Sequence, residues 1–242
     1  MTRDRVLLAA AMLSLCGAGA ALAAERMTVI TYFNMTRADE EQVKLIDGKW
    51  QALVRDERVA LSVADLANGY VEFVDEGTGG GKEEISAALF LAKDKAPMLA
   101  VLRITGSSGS CPDPTYGLTT YTLEAGKLRA ATDIVPKVPL GLFFENGYTP
   151  QESGPEMIPA QEYRLGYKLP RKGTTLEAFL DTSTAACTLG AFGDQLSAAS
   201  RAAHEKFLAN VRKEPVTLKW NKASGHFDPP AAAAPRSGAT VP

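Results

Sequence analysis

The sequence predicts an α+β protein dominated by antiparallel strands, and three observations carry that expectation. Between Tyr70 and Asp133, runs of strand length follow one another with only short polar breaks. Parallel neighbours need crossovers of a dozen or more residues, so breaks this short imply a β-meander. Helical periodicity is confined to one stretch before these runs and one late in the chain. Finally, 45% apolar and 22% charged residues in 242 is a composition that can bury a core.

The first helix is expected over residues 36–56. Thr36-Arg37-Ala38-Asp39 has the form of a helix start, and Asp39, Glu40 and Glu41 suit the positive end of a helix dipole. Val43, Ile46, Trp50, Leu53 and Val54 recur at steps of three and four, with Gly48 the one poor helix former among them. A short turn from Ser62 stops before Asn68-Gly69.

The meander follows as Tyr70 to Asp75, Glu84 to Ala92, Met98 to Thr105, Leu118 to Leu123 and Lys127 to Asp133. Its breaks are rich in Gly, Pro, Ser and Lys. Strands resume at Tyr163 to Leu169 and Thr174 to Asp181. A late inserted helix runs from Asp194, its expected cap, to about Arg212, with Leu196, Ala199, Ala203, Phe207 and Val211 as its stripe and Pro215 as its stop. Val216 to Trp220 and His226-Phe227 close a hairpin, for eight or nine strands in all.

Residues 1–24 read as a cleaved export signal. Arg3 and Arg5 precede an apolar run from Val6 to Ala23, and Ala21-Leu22-Ala23-Ala24 offers the small residues of a cleavage site near Ala23 or Ala24. The run is short and rich in Gly and Ala for a retained span, so no membrane span is expected after cleavage. A single domain over 25–228 and a disordered Pro/Ala-rich tail over 229–242 complete the expected organisation. The expected location is the periplasm or the exterior. Cys16 leaves with the signal, so Cys111 and Cys187 remain and are expected to form a disulfide in that oxidising compartment.

Charge and motifs exclude more than they assign. A net charge of −2 gives no basic field to gather nucleic acid. Gly106-Ser107-Ser108-Gly109-Ser110 lacks the spacing of a nucleophile elbow, and the Gly-rich run before Lys82 lacks both the first Gly and the final Ser or Thr of a P-loop. His204 and His226 have no metal-ligand spacing, so neither metal nor cofactor is expected; His204 reads as a partly exposed helix residue. The acidic groups Asp75-Glu76, Glu83-Glu84 and Asp39 to Glu41 are explained by solvated edges and a helix start, because adjacent acids on a strand point to opposite faces. No catalytic residue is assigned. Asn34-Met35-Thr36 is formally a glycosylation sequon.

One stretch suggests recognition. Leu140, Leu142, Phe143, Phe144 and Tyr148 lie in a Pro-bounded segment and must either pack on a sheet face or meet a partner. The expectation is an exported, non-enzymatic protein that binds another protein or an envelope ligand. An envelope hydrolase working through carboxylates or a His is the competing expectation.

Overall fold

A computed structural model describes residues 28–36, 41–76, 81–93, 96–106, 110–151, 153–154 and 156–230. The expected export signal and all but the first two residues of the expected tail lie outside the described residues. The architecture is α+β and mainly antiparallel, in two sheets.

The larger sheet is an uninterrupted meander in chain order: β1 (Glu41–Ile46), β2 (Lys49–Val54), β3 (Glu57–Asp65), β4 (Tyr70–Asp75), β5 (Glu83–Phe90), β6 (Met98–Thr105), β7 (Thr115–Glu124) and β8 (Lys127–Ala131). The five strands expected between Tyr70 and Asp133 are all present, two of them, β4 and β6, with the expected bounds.

The helix expected over 36–56 is instead the β1–β2 hairpin. Asp47 and Gly48 take positive φ values of 50° and 76°, as a two-residue hairpin turn requires, and Asp-Gly is a preferred pair for it. Val43, Ala52 and Val54 are buried while Leu45 stands 59% exposed, so strand alternation rather than the helical stripe governs. The turn expected from Ser62 is likewise strand up to Asp65, then a 3-10 turn over Leu66–Asn68 closed by Gly69 at φ 68°.

The only helix ahead of the sheet among the described residues is α1 (Val29–Asn34), started by a capping box between Thr28 and Thr31. Val29, Ile30, Tyr32 and Phe33 are buried on the sheet face that carries Val71, Phe73, Ile85, Ala87 and Val101. Val43, Ala52 and Val54 from one end of the sheet join this cluster, as do partly buried Tyr121, Leu123 and Leu128 from the other. Strands from both ends of the sheet thus share one core cluster with α1. Asn34, the last residue of α1, clamps the outer strand: its Oδ1 accepts the Val43 N–H at 2.7 Å and its Nδ2 donates to the Val43 carbonyl at 2.9 Å.

The opposite face carries Tyr70, Ala88, Ala100 and Leu102, with Phe90 and Met98. It packs against the second sheet, β12 (His226–Phe227), β11 (Val216–Asn221), β10 (Thr175–Asp181) and β9 (Arg164–Lys168) in spatial order, through Leu176, Leu218, Trp220 and Phe227. Phe90, Trp220 and Phe227 form a ring cluster with centroids 5.0–5.4 Å apart, and the Trp220 indole N–H donates to the Leu91 carbonyl at 2.8 Å. The strand count among the described residues is twelve rather than eight or nine, because β1, β2 and β3 replace the expected first helix and the turn after it.

Two helices separate β10 from β11. α2 (Ser183–Phe192) was not expected from the sequence. α3 (Ala198–Asn210) is the expected late helix, shortened at both ends. Its cap is Ser197, whose side chain accepts the Ser200 N–H at 3.1 Å; Asp194 lies in a preceding 3-10 turn and instead pairs with Arg201 at 2.7 Å. The chain is already extended at Val211, well before Pro215.

The Cys111–Cys187 disulfide is present and joins the β6–β7 connection to α2. Thr184 donates to the Pro112 carbonyl at 2.6 Å, Arg164 pairs with Asp113 at 3.0 Å, and the Tyr116 hydroxyl donates to Asp181. Four ties thus pin residues 111–116 to the second sheet and α2. No described helix is long and apolar enough to cross a membrane.

Candidate functional site

The Pro-bounded segment becomes a strap across α3. Leu140–Phe143 forms a 3-10 turn, and Phe144 then bridges antiparallel to Val211 at the end of α3. The Glu145 N–H donates to the Asn210 carbonyl and the Arg212 N–H to the Phe143 carbonyl, both at 2.9 Å. Asn146 and Gly147 follow with φ values of 54° and 68°, a tight turn closed by the Tyr148 N–H donating to the Glu145 carbonyl at 3.0 Å. This turn folds Tyr148 back onto the strap.

The five side chains singled out in the sequence therefore separate. Phe143 and Phe144, 3% and 7% exposed, pack into a core with Ile158, Ala178, Leu180, Ala203 and Phe207. Leu140 is 40% exposed, while Leu142 and Tyr148 are half-buried. Tyr148 stacks edge-on with Phe144 at 5.3 Å and with Phe207 at 6.5 Å, leaving its remaining surface to solvent.

Beside Tyr148 lies an open cavity of about 380 Å³ between the strap and α3. Asn146, Thr149, Gln151 and Glu156 line it from the strap, and Lys206 and Asn210 from α3. Lys206 Nζ sits 5.9 Å from the Tyr148 ring centroid, within cation–π range. Gln151 donates to Glu156 at 3.2 Å. Partial burial raises the Tyr148 hydroxyl above its ordinary pKa, and the negative charge of Glu156 adds to the effect. Both charges therefore act on one ring.

These polar lining residues were not singled out in the sequence. Asn146-Gly147, a turn pair directly before an aromatic residue, was the one local signal for this corner. Lys206 and Asn210 lie on α3 outside its apolar stripe, at positions that carry no local signal of a site.

Each histidine makes a hydrogen bond within the molecule. His204 is 2% exposed rather than partly exposed. Its Nδ1 must donate at 2.8 Å to the Ser200 carbonyl, which can only accept, and its Nε2 lies 2.7 Å from Glu162. The pair fixes the 3-10 turn Ala160–Glu162 to α3. His226 Nδ1 lies 3.3 Å from the Asp133 carbonyl, in a different part of the molecule.

Carboxylates gather across strands rather than along them. Asp75 and Glu83 are register partners on β4 and β5, and Glu83 shares Arg103 with Glu41. Arg103 reaches Glu41 with both terminal nitrogens, one at 3.0 Å, and Asp75 takes Arg55 at 2.8 Å. Glu41 and Asp75 are each 5% exposed, so these are ion pairs within the molecule. No group of three or more His, Cys, Asp or Glu side chains among the described residues could hold a metal ion.

No family model matches the sequence, and no curated protein does. Among solved structures the chain is similar to a domain of an uncharacterized protein from Porphyromonas gingivalis W83, at 13% identity and a TM-score of 0.40, over 72% of this chain and 81% of that one.

Proposed function

We propose that this is an exported, non-catalytic binding protein that recognises an envelope ligand at the corner between the strap and α3. The observation that carries the reading is the cavity of about 380 Å³ beside Tyr148, lined by exposed polar side chains on a rigid aromatic base. Its volume falls within the roughly 300–1,000 Å³ of small-molecule sites, and its lining is more polar than is usual for them, with Tyr148 as the aromatic wall. Export is supported by the Arg3 and Arg5 start with its apolar run, and by a disulfide of the kind that persists in oxidising compartments.

The hydrolase alternative draws less support. Three of its carboxylates, Glu41, Asp75 and Glu83, are engaged by Arg103 or Arg55, and its buried histidine is bonded at both ring nitrogens.

Tagged full-length protein, exported in its native host and recovered from the envelope fraction, tests the reading. Wild type should retain a stoichiometric envelope component, protein-borne or glycan, that Lys206→Glu and Tyr148→Ala both release. Equal retention by all three proteins, or retention by none, would refute recognition at this corner.

A further inference from the structure

We infer that the cavity beside Tyr148 is a site for an uncharged saccharide of one or two rings, an assignment that rests on the proposal that this corner is the recognition site. The first argument is charge. Lys206 and Glu156 both act on the Tyr148 ring, so the site presents one positive and one negative group within a small space. A phosphate or carboxylate ligand meeting Lys206 also meets Glu156, and a cationic ligand meets the reverse. Neither sign of ion is favoured.

The second argument is the hydrogen-bonding inventory. Asn146, Gln151 and Asn210 carry amides, and Thr149 adds a hydroxyl that both donates and accepts. Asn210 already donates to the Lys206 carbonyl at 2.7 Å and Gln151 to Glu156, each keeping a second N–H and its oxygen. Glu156 supplies acceptors and Lys206 donors. Sugar hydroxyls likewise donate and accept at every position, so mixed amides, a carboxylate and an ammonium match a polyol better than they match an apolar side chain. The side chains around it are mostly polar, with Ala203 and the Tyr148 ring the apolar ones.

The third argument is shape. Tyr148 is braced by Phe144 and Phe207, and once the flexible Lys206 side chain swings off its face it offers a ring against which the C–H face of a pyranose can lie. A volume of about 380 Å³ is near the lower end for ligand sites, which suits one or two rings rather than a longer chain. Because the cavity is open to water, affinity should be modest, with Kd in the range of about 0.1–5 mM.

Amide NMR titration of the full chain with maltose, N,N′-diacetylchitobiose, tri-alanine and inorganic phosphate tests this. At least one disaccharide should shift signals confined to residues 146–151 and 203–210, and Tyr148→Ala should weaken its binding about tenfold or more. Because Tyr148 also packs on Phe207, Glu156→Ala serves as a second variant at an exposed position and should weaken the same sugar several-fold with an otherwise unchanged spectrum. If neither disaccharide shifts this corner at about 10 mM, the saccharide assignment is overturned. Shifts here from tri-alanine or phosphate alone would overturn the sugar class yet keep the corner as a binding site. Silence from every probe, together with envelope retention insensitive to Tyr148 and Lys206, would remove both.

Discussion

Asn34 does at one residue what a neighbouring strand would do. Val43 is buried, and both of its outward backbone groups end on the Asn34 amide. Asn34→Ala leaves a donor and an acceptor unpaired and should cost about 1–3 kcal/mol, read as a lower urea midpoint. The same geometry bears on the sequon at this position. A glycan on Nδ2 is incompatible with the close contact to Val43, so secretion from a eukaryotic host that occupies the site should yield a less stable product than Thr36→Ala, which removes the sequon. Tyr116 and Asp181 form a second residue-scale pair. Burial raises the Asp181 carboxyl, but the Tyr116 hydroxyl and the Ser183 N–H outweigh it and hold it below the ordinary carboxylate value. A depressed carboxyl stabilises the fold above its unfolded pKa and loses that contribution as pH falls through its folded one. Tyr116→Phe should therefore cost about 1–2 kcal/mol near neutrality, with the difference from wild type shrinking below about pH 4 in denaturant titrations. Such partnerships were illegible in the sequence. Glu162 lies 42 positions from His204, and no local pattern announces a partner at that distance.

Among the elements, β9 and β10 meet at a point where any side chain must displace the Phe179 ring. A Cβ on Gly166 would fall 2.5 Å from Cζ of Phe179, whose ring also packs edge-on against Tyr116 at 5.6 Å. Gly166→Ala should lower the melting temperature clearly, and much less so in a Phe179→Ala background; an equal loss in both would show that the ring is not the obstacle. The legibility of elements follows the same logic of local against distant cause. The meander was readable because β4 through β8 alternate and are separated by turn chemistry. The β1–β2 hairpin was misread because Val43, Ile46, Trp50, Leu53 and Val54 satisfy helical spacing, although Asp47-Gly48 spelled out the turn. α2 was missed for the opposite reason. Ala185 is its only buried residue, and the helix is positioned through Cys187 and Thr184 rather than by an apolar stripe of its own.

At the scale of the molecule, the disulfide closes a separation of 76 residues that spans the β7–β8 hairpin, the strap and β9–β10. Cross-linking a loop of that length is worth about 4 kcal/mol by the chain-entropy argument. Cys111→Ser with Cys187→Ser should lose a comparable amount of unfolding free energy, and mildly reducing conditions should bring the wild type to the same value. The pairing was legible because two cysteines remain once the expected export signal is discounted. The strap was legible only in part: its aromatic content marked the segment, but which rings turn inward depends on Phe207, which belongs to α3. The cavity beside it draws on two segments distant in sequence, so no single stretch could have shown it.

The position of α1 has a consequence for how the protein is made. It is the first described element synthesised, and six residues are too few for a helix to persist alone in water. The surface it needs is assembled from β4, β5 and β6, with β1 and β2 folded over beside it. Val29, Ile30, Tyr32 and Phe33 must therefore stay uncommitted while the chain through β6 is still emerging, as an apolar stretch open to any chaperone that holds unfolded chains. The nascent chain completes this core only when the apolar residues of α1 are met by much later ones.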